Sequence, residues 1–281
     1  MQDEQGRVLK WGDEVEYIIV KLDHDNKKAK LSLKAKELLD VLIEPEEKYK
    51  TEVESTGSSD IKLPSLWRPE YASYMVEGTP GGPYGGSTNY FNTVEHNMRT
   101  RRRELEELLE KDEICVSTSS FPRLGCLGFT HPDYLPDPVN SFTKSLFWPN
   151  EVTFLGHPRF ARLSENIRKR RGEKVAINIP IFRDENTPQP FREDFSLIGD
   201  DGSSQAAAKD DHVYLDAMGF GMGLCCLQLT FQVIFIIDGM SQVFEQYELQ
   251  IQNSLQILIS TTYILSSRPT ACPRQGSCMT S

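Results

Sequence analysis

The chain has 281 residues, with 31 Lys and Arg against 41 Asp and Glu, for a formal net charge of −10. That balance repels nucleic acid and anionic membrane, so neither is an expected partner, and any site for acidic substrates must be locally basic or metal-loaded. The length allows a substantial core in one large domain or two. With no charged-then-apolar leader opening it, the chain reads as cytoplasmic, and its 6 cysteines as thiols without zinc spacing.

Residues 8–34 alternate in strand fashion, VEYIIVKL then KAKLSLK around the polar turn DHDNKK, which predicts a hairpin. Within the first strand, Glu14 and Glu16 are two apart and leave the same face, with Val15 on the other. Two carboxylates a few ångströms apart repel unless a cation lies between them or one is protonated. Hard oxygen ligands of this kind suit Mg²⁺ or Mn²⁺. The other reading is that Asp13, Glu14 and Glu16 form the solvated face of an edge strand. KELLDVLIEPEEKYK then predicts a short helix, and TEVESTGSSD a polar linker with little to bury.

Glu77 ends the apolar run YASYMVE and is followed at once by GTPGGPYGG, a tight loop of the sort that often borders a metal or phosphate site. Glu70 lies seven residues earlier, an odd spacing that an uninterrupted strand would send to the opposite face. Either a bulge or bend intervenes, or Glu70 sits on the chain entering the strand. A helix follows, with Val94, Met98, Leu105, Leu108 and Leu109 at helical spacing and Asn92 with Glu95 resembling a capping box. Its arginines, Arg99 and Arg101 to Arg103, read as a salt-bridged outer surface, with Arg102 facing Glu106 and Arg103 facing Glu107 at i+4.

ICVSTSSF is a predicted strand, and residues 122–158, rich in Pro, Gly and aromatics, an ordered loop. RFARLSENIRKRR predicts a helix leading into the strand KVAINIPIF. The run Arg168 to Arg171 is suited to gripping phosphate or carboxylate, although no single arginine stands out. The 5 histidines are scattered, none at metal-ligand spacing from another, and read as structural or surface residues. FREDFSLIGDDGSSQAAAKDD is expected to be a mobile loop. In the last block, HVYLDAMGFGMGLCCLQLTF, strand alternation puts Cys226, Gln228, Thr230 and Gln232 on one face and Leu227, Leu229 and Phe231 on the other. MGFGMG lacks the Lys-Ser/Thr of a Walker A loop; close backbone approach and simple turn chemistry explain it equally well. The apolar runs LQLTFQVIFII and LQILISTTYIL are too short and interrupted to span a bilayer.

The blocks VLKWGDEVEY, LWRPEYASYMVEGTPGGPYGG, FNTVEHNMRTRRRE, SFPRLGC, NIRKRRGEKVAINIPIF and YLDAMGFGMGLCCLQLTFQ resemble, in order from about Val8 to Gln232, the catalytic (heavy) subunits of the eukaryotic glutamate–cysteine ligase family. The resemblance implies an α+β, glutamine-synthetase-like fold: a curved, mostly antiparallel sheet with helices on its outer face, here incomplete. It implies ATP-dependent ligation of L-glutamate, through its γ-carboxylate, to L-cysteine by way of a γ-glutamyl phosphate, the first step of glutathione biosynthesis. Matched residue by residue, Glu14, Glu16, Glu70 and Glu77 are the metal-binding glutamates and Gln228 a further contributor, with Mg²⁺ (or Mn²⁺) and ATP as cofactors.

The resemblance covers residues 8–232 as a partial catalytic domain and stops there; residues 233–281 read as a divergent tail whose order the sequence leaves open. The family's catalytic subunits are more than twice as long. This exact polypeptide is therefore expected to ligate weakly or not at all, and to be poorly soluble from unpaired sheet edges. The competing expectation is a truncated, catalytically inactive isoform that binds the family's modifier (regulatory) subunit or is non-functional.

Overall fold

The computed structural model describes residues 9–232; residues 233–281, expected from the sequence to be a divergent tail, lie outside the described residues. In chain order the elements are β1 (Trp11–Asp23), β2 (Lys28–Ser32), α1 (Ala35–Leu42), α2 (Glu44–Thr56), β3 (Ser65–Pro69), β4 (Met75–Pro80), α3 (Phe91–Glu106), β5 (Glu113–Val116) and β6 (Thr130–His131). They continue with α4 (Pro158–Arg171), β7 (Ile177–Pro180), α5 (Ser203–Ala207), β8 (His212–Leu215), α6 (Gly219–Met222) and β9 (Leu227–Phe231).

β1 is the spine of a curled seven-stranded sheet. One of its edges pairs with β4 and then β2, the other with β9 and then β5, all antiparallel. β3 extends the sheet beyond β4, and the only parallel pairing in it among the described residues is β2 with β6. β7 and β8 form a separate two-stranded antiparallel ladder. This is the α+β, mostly antiparallel, glutamine-synthetase-like layout that the resemblance implies. The expected β1–β2 hairpin is present, its turn tied by Asp23 Oδ1, which accepts from the Asn26 N–H at 3.0 Å.

Helix α3 packs on one face of the sheet, which we call the outer face. Leu105 is buried there, and the Trp67 indole N–H donates to Glu104 at 3.1 Å. The packing is close: a Cβ on Gly78 would come within 3.1 Å of Trp67 and 3.2 Å of Arg101. The expected Asn92–Glu95 capping box does not form. A 3-10 turn at Thr88–Tyr90 leads straight into the helix, and Ser87 Oγ accepts from the Asn89 N–H instead.

Two further expectations are revised. The stretch read as helix then linker is two helices, the second running to Thr56 and closed by Gly57 at φ 79°. Its first turn carries Pro45 and three glutamates, which suit a helix start. Ion pairs Lys48–Glu44 (2.7 Å) and Lys50–Glu46 (2.6 Å) brace a helix that buries little. The stretch expected to be mobile, residues 191–211, is anchored: Phe195 is buried against Phe147 and Tyr214 at 5.7 and 5.5 Å. Its acidic residues take up backbone N–H groups, as Asp200 does from Ser204 and Gln205.

The aromatic loop at 122–158 is ordered as expected, with Phe129, Leu146, Phe147, Trp148, Val152 and Phe154 buried. Against it, two of the three glycines of MGFGMG serve close approach: a Cβ on Gly219 would lie 2.4 Å from the Trp148 ring, and one on Gly223 2.4 Å from the Tyr74 hydroxyl. Trp148 is fully buried and pinned by its indole N–H to Thr153 Oγ1 at 2.9 Å, so it cannot yield. Gly219→Ala should therefore destabilise the chain by about 1–3 kcal/mol, read as a lowered urea midpoint at unchanged slope.

Candidate metal centre

Period-two alternation along β1 sorts its side chains between two faces. Asp13, Val15 and Tyr17 belong to the outer face, where Tyr17 meets Trp67 at 6.1 Å between ring centroids. Glu14, Glu16 and Ile18 belong to the inner face. In the β1–β4 register Glu16 lies directly opposite Glu77, so the two carboxylates emerge side by side. Glu70 follows the end of β3, on the short connection that leads into β4, and this settles the odd spacing between Glu70 and Glu77. Its Oε2 accepts from the Tyr71 N–H at 3.0 Å. Carboxylate oxygens of Glu16, Glu70 and Glu77 all come within 4.8 Å of one another. Glu16 and Glu77 are only 4% and 8% exposed.

The remaining two expected residues stand beside these three. Glu14 is paired in register with Gln228 of β9 and accepts a 2.7 Å hydrogen bond from Thr230 Oγ1. Gln228 Nε2 donates to Glu16 Oε1 at 2.9 Å. Sequence reasoning missed Cys226, whose backbone N–H and thiol both donate to Glu16, at 3.1 and 3.0 Å. The signal was available, because Cys226, Gln228 and Thr230 had been placed on one strand face.

Crowding these acids shifts their titration. Glu77 is pushed up to about 8, first by burial and then by repulsion from Glu70, Glu14 and Glu16. Glu70 is pushed up to about 7 by burial and the Glu16 charge, while the Tyr71 N–H and the Arg159 charge pull the other way. A buried carboxylate group without a neutralising cation holds protons near neutrality. Burial also pushes the neighbouring Cys225 thiol up to about 12. The donor set is made of hard oxygens and fits a small divalent cation.

Behind the cluster, on the outer face, lies a buried ion pair of Asp13 with Arg101, an arginine that the sequence reading placed on a salt-bridged outer surface. Arg101 and Asp13 are 0% and 1% exposed and bonded to each other. The Tyr84 hydroxyl donates to Asp13 Oδ1 at 2.8 Å, and Arg101 also reaches the Gly78 carbonyl at 3.1 Å. Arg101 lies one turn before the buried Leu105, and that spacing marks it as core-facing. Of its neighbours, Arg102 pairs with Glu106 at 2.7 Å as expected, and Arg99 pairs with Glu95 at 2.8 Å, both exposed. In the second basic run, Arg168 donates to the Phe142 carbonyl at 3.1 Å and Lys169 pairs with Glu165 at 2.8 Å.

The glutamate–cysteine ligase family model matches residues 1–246, and the chain belongs to that family. It is 52% identical over 240 residues to the human glutamate–cysteine ligase catalytic subunit, a match covering 85% of this chain and 36% of the human protein. It is 40% identical over 249 residues to the Dictyostelium discoideum glutamate–cysteine ligase, covering 85% of this chain and 37% of that one. With the Saccharomyces cerevisiae glutamate–cysteine ligase the identity is 36% over 247 residues, covering 80% and 34%. The chain thus spans about a third of the length of these relatives.

Two outcomes follow from the site. Arg101→Ala leaves the Asp13 charge buried and unpaired and should cost about 3–5 kcal/mol in denaturant unfolding, whereas the double change Arg101→Met with Asp13→Asn should recover part of it. For the carboxylates, a folded-state pKa of about 8 at Glu77 stands against an ordinary 4.5. The proton held by the folded chain stabilises it fully below about 4.5, and that contribution is lost as pH rises through about 8. Without divalent ions, Glu77→Gln should therefore melt above the wild type at pH 9 and close to it at pH 4.5, as followed by circular dichroism.

Proposed function

We propose that this chain carries the divalent-metal part of a glutamate–cysteine ligase site. Glu14, Glu16, Glu70, Glu77 and Gln228 hold Mg²⁺ or Mn²⁺ there for an ATP-dependent reaction in the cytoplasm. That reaction joins the γ-carboxylate of L-glutamate to the amino group of L-cysteine through a γ-glutamyl phosphate. The observation that carries this reading is the meeting of Glu16, Glu70 and Glu77 within 4.8 Å, in a chain of this family.

A divalent ion supplies the charge that lets a triphosphate and a carboxylate nucleophile approach each other. The chain's own residues pre-orient the oxygens: Cys226 and Gln228 fix Glu16, the Tyr71 N–H fixes Glu70, and strand register fixes Glu77. The test is calorimetric titration of Mg-ATP into the purified chain. Binding heat should appear with the wild type and weaken at least roughly tenfold in Glu77→Ala and Glu14→Ala, as expected from loss of a charged ligand. No metal-dependent nucleotide binding by the wild type would overturn the reading.

A second reading rests on the outer face of β9, where Leu227, Leu229 and Phe231 are 59%, 54% and 48% exposed. On this reading the chain is a non-catalytic binder of the modifier subunit of glutamate–cysteine ligase. Co-purification with that subunit, without metal-dependent nucleotide binding, would favour it. Among the described residues no helix is long and apolar enough to cross a membrane.

A further inference from the structure

Helix α4 is pinned against the segment that carries Glu70. The Phe160 ring meets Tyr71 edge-on at 5.9 Å, the Tyr71 hydroxyl shares a 2.7 Å hydrogen bond with Ser164 Oγ, and the Phe154 N–H donates to the Tyr71 carbonyl at 2.8 Å. Arg159, the residue before Phe160, is thereby set beside Glu70, the residue before Tyr71. Its charge is close enough to oppose the upward shift of the Glu70 carboxyl.

Beside a carboxylate such as Glu70, an arginine ordinarily closes a bidentate ion pair. Arg159 does not: among the described residues it forms no salt bridge and donates no side-chain hydrogen bond, and its guanidinium rests 5.3 Å from the Phe160 ring centroid. It is exposed, so its N–H fork is available to a ligand. A charge argument says what that ligand is. Four carboxylates outweigh a single divalent ion, so an anion approaching the ion meets net repulsion that a further cation relieves. Arg159 is the cation placed to do so, and its planar fork matches the oxygens of a carboxylate or a phosphoryl group.

We propose that Arg159 is a positioning residue that holds an oxyanion, carboxylate or phosphoryl, against the divalent ion bound by Glu16, Glu70 and Glu77. The inference rests on reading those carboxylates as a metal site. The test uses the full chain with Mn²⁺ as the probe: electron paramagnetic resonance reports bound Mn²⁺, and paramagnetic line broadening reports inorganic phosphate (³¹P) or L-glutamate (¹H) beside it.

With wild type, Mn²⁺ binds and at least one of the two anions broadens; which one responds tells phosphoryl from carboxylate. Arg159→Gln should bind that anion roughly tenfold or more weakly, the worth of a charge-assisted hydrogen-bond pair, with Mn²⁺ affinity held within about threefold. Arg159→Lys, which keeps the charge and loses the fork, should fall between them. Equal anion broadening in wild type and Arg159→Gln, or none in wild type with Mn²⁺ bound, overturns the role of Arg159 alone. Failure of the wild type to bind Mn²⁺ overturns the metal reading and this inference together.

Discussion

Two glutamates placed opposite each other in a sheet, Glu16 on β1 and Glu77 on β4, are the constraint that organises this protein. Like charges in a directly opposed cross-strand pair repel, and burial deepens the cost by removing water. The third carboxylate, Glu70, is brought to the same spot by the short connection between β3 and β4. Such a group persists only if protons or a cation neutralise it, and the raised titration of Glu77 and Glu70 shows the protonated solution. A fold that spends sheet stability in this way concentrates negative potential at one point on its inner face, where a multivalent cation gains most.

The opposite face has to hold that strained sheet in place, and it does so with charge of its own. Alternation along β1 sends Asp13 outward while Glu14 and Glu16 go inward, so one short stretch serves both faces. Asp13 meets Arg101 from α3 and the Tyr84 hydroxyl, all buried. The Arg101 bond to the Gly78 carbonyl fastens the helix to β4 immediately after Glu77. Register between β1 and β4 is what keeps Glu16 facing Glu77, and a slip of one residue would turn every inward carboxylate outward. A buried ion pair with directional partners resists such a slip better than apolar packing alone would.

Local periodicity made half of this legible beforehand. Glu14 and Glu16, two apart in a strand, could be put on one face without coordinates, and so could Cys226, Gln228 and Thr230. Convergence of Glu70 with Glu77 could not, because the turn between them resets the face and spacing does not encode a turn's geometry. Arg101 was misjudged by composition: it sits in a run of basic residues, yet helical phase aligns it with Leu105. Residues 51–56, read as linker, and 191–211 were misjudged for a related reason. Their polar side chains look solvated in sequence, while in the fold the first continue a helix braced by ion pairs one turn earlier and the second take up backbone N–H groups, which no composition reveals.

The inner-face site and strand β9 draw on the same atoms. Among the described residues β9 is paired with β1 alone, and its apolar face is half exposed, so little burial seats it. Ladder bonds hold it, together with the polar contacts that Cys226, Gln228 and Thr230 make to Glu16 and Glu14. A carboxylate offers about four lone-pair sites. On Glu16 the Cys226 N–H, the Cys226 thiol and the Gln228 amide already occupy three of them. An ion bound with β9 in place therefore finds room for about one oxygen contact from Glu16 and must draw its other ligands from Glu70 and Glu77. Bidentate ligation by Glu16 would instead displace donors of β9 and loosen the edge of the sheet. Metal coordination and the seating of β9 are thus coupled through a single side chain, and the strand that carries Gln228 sets how Glu16 can bind.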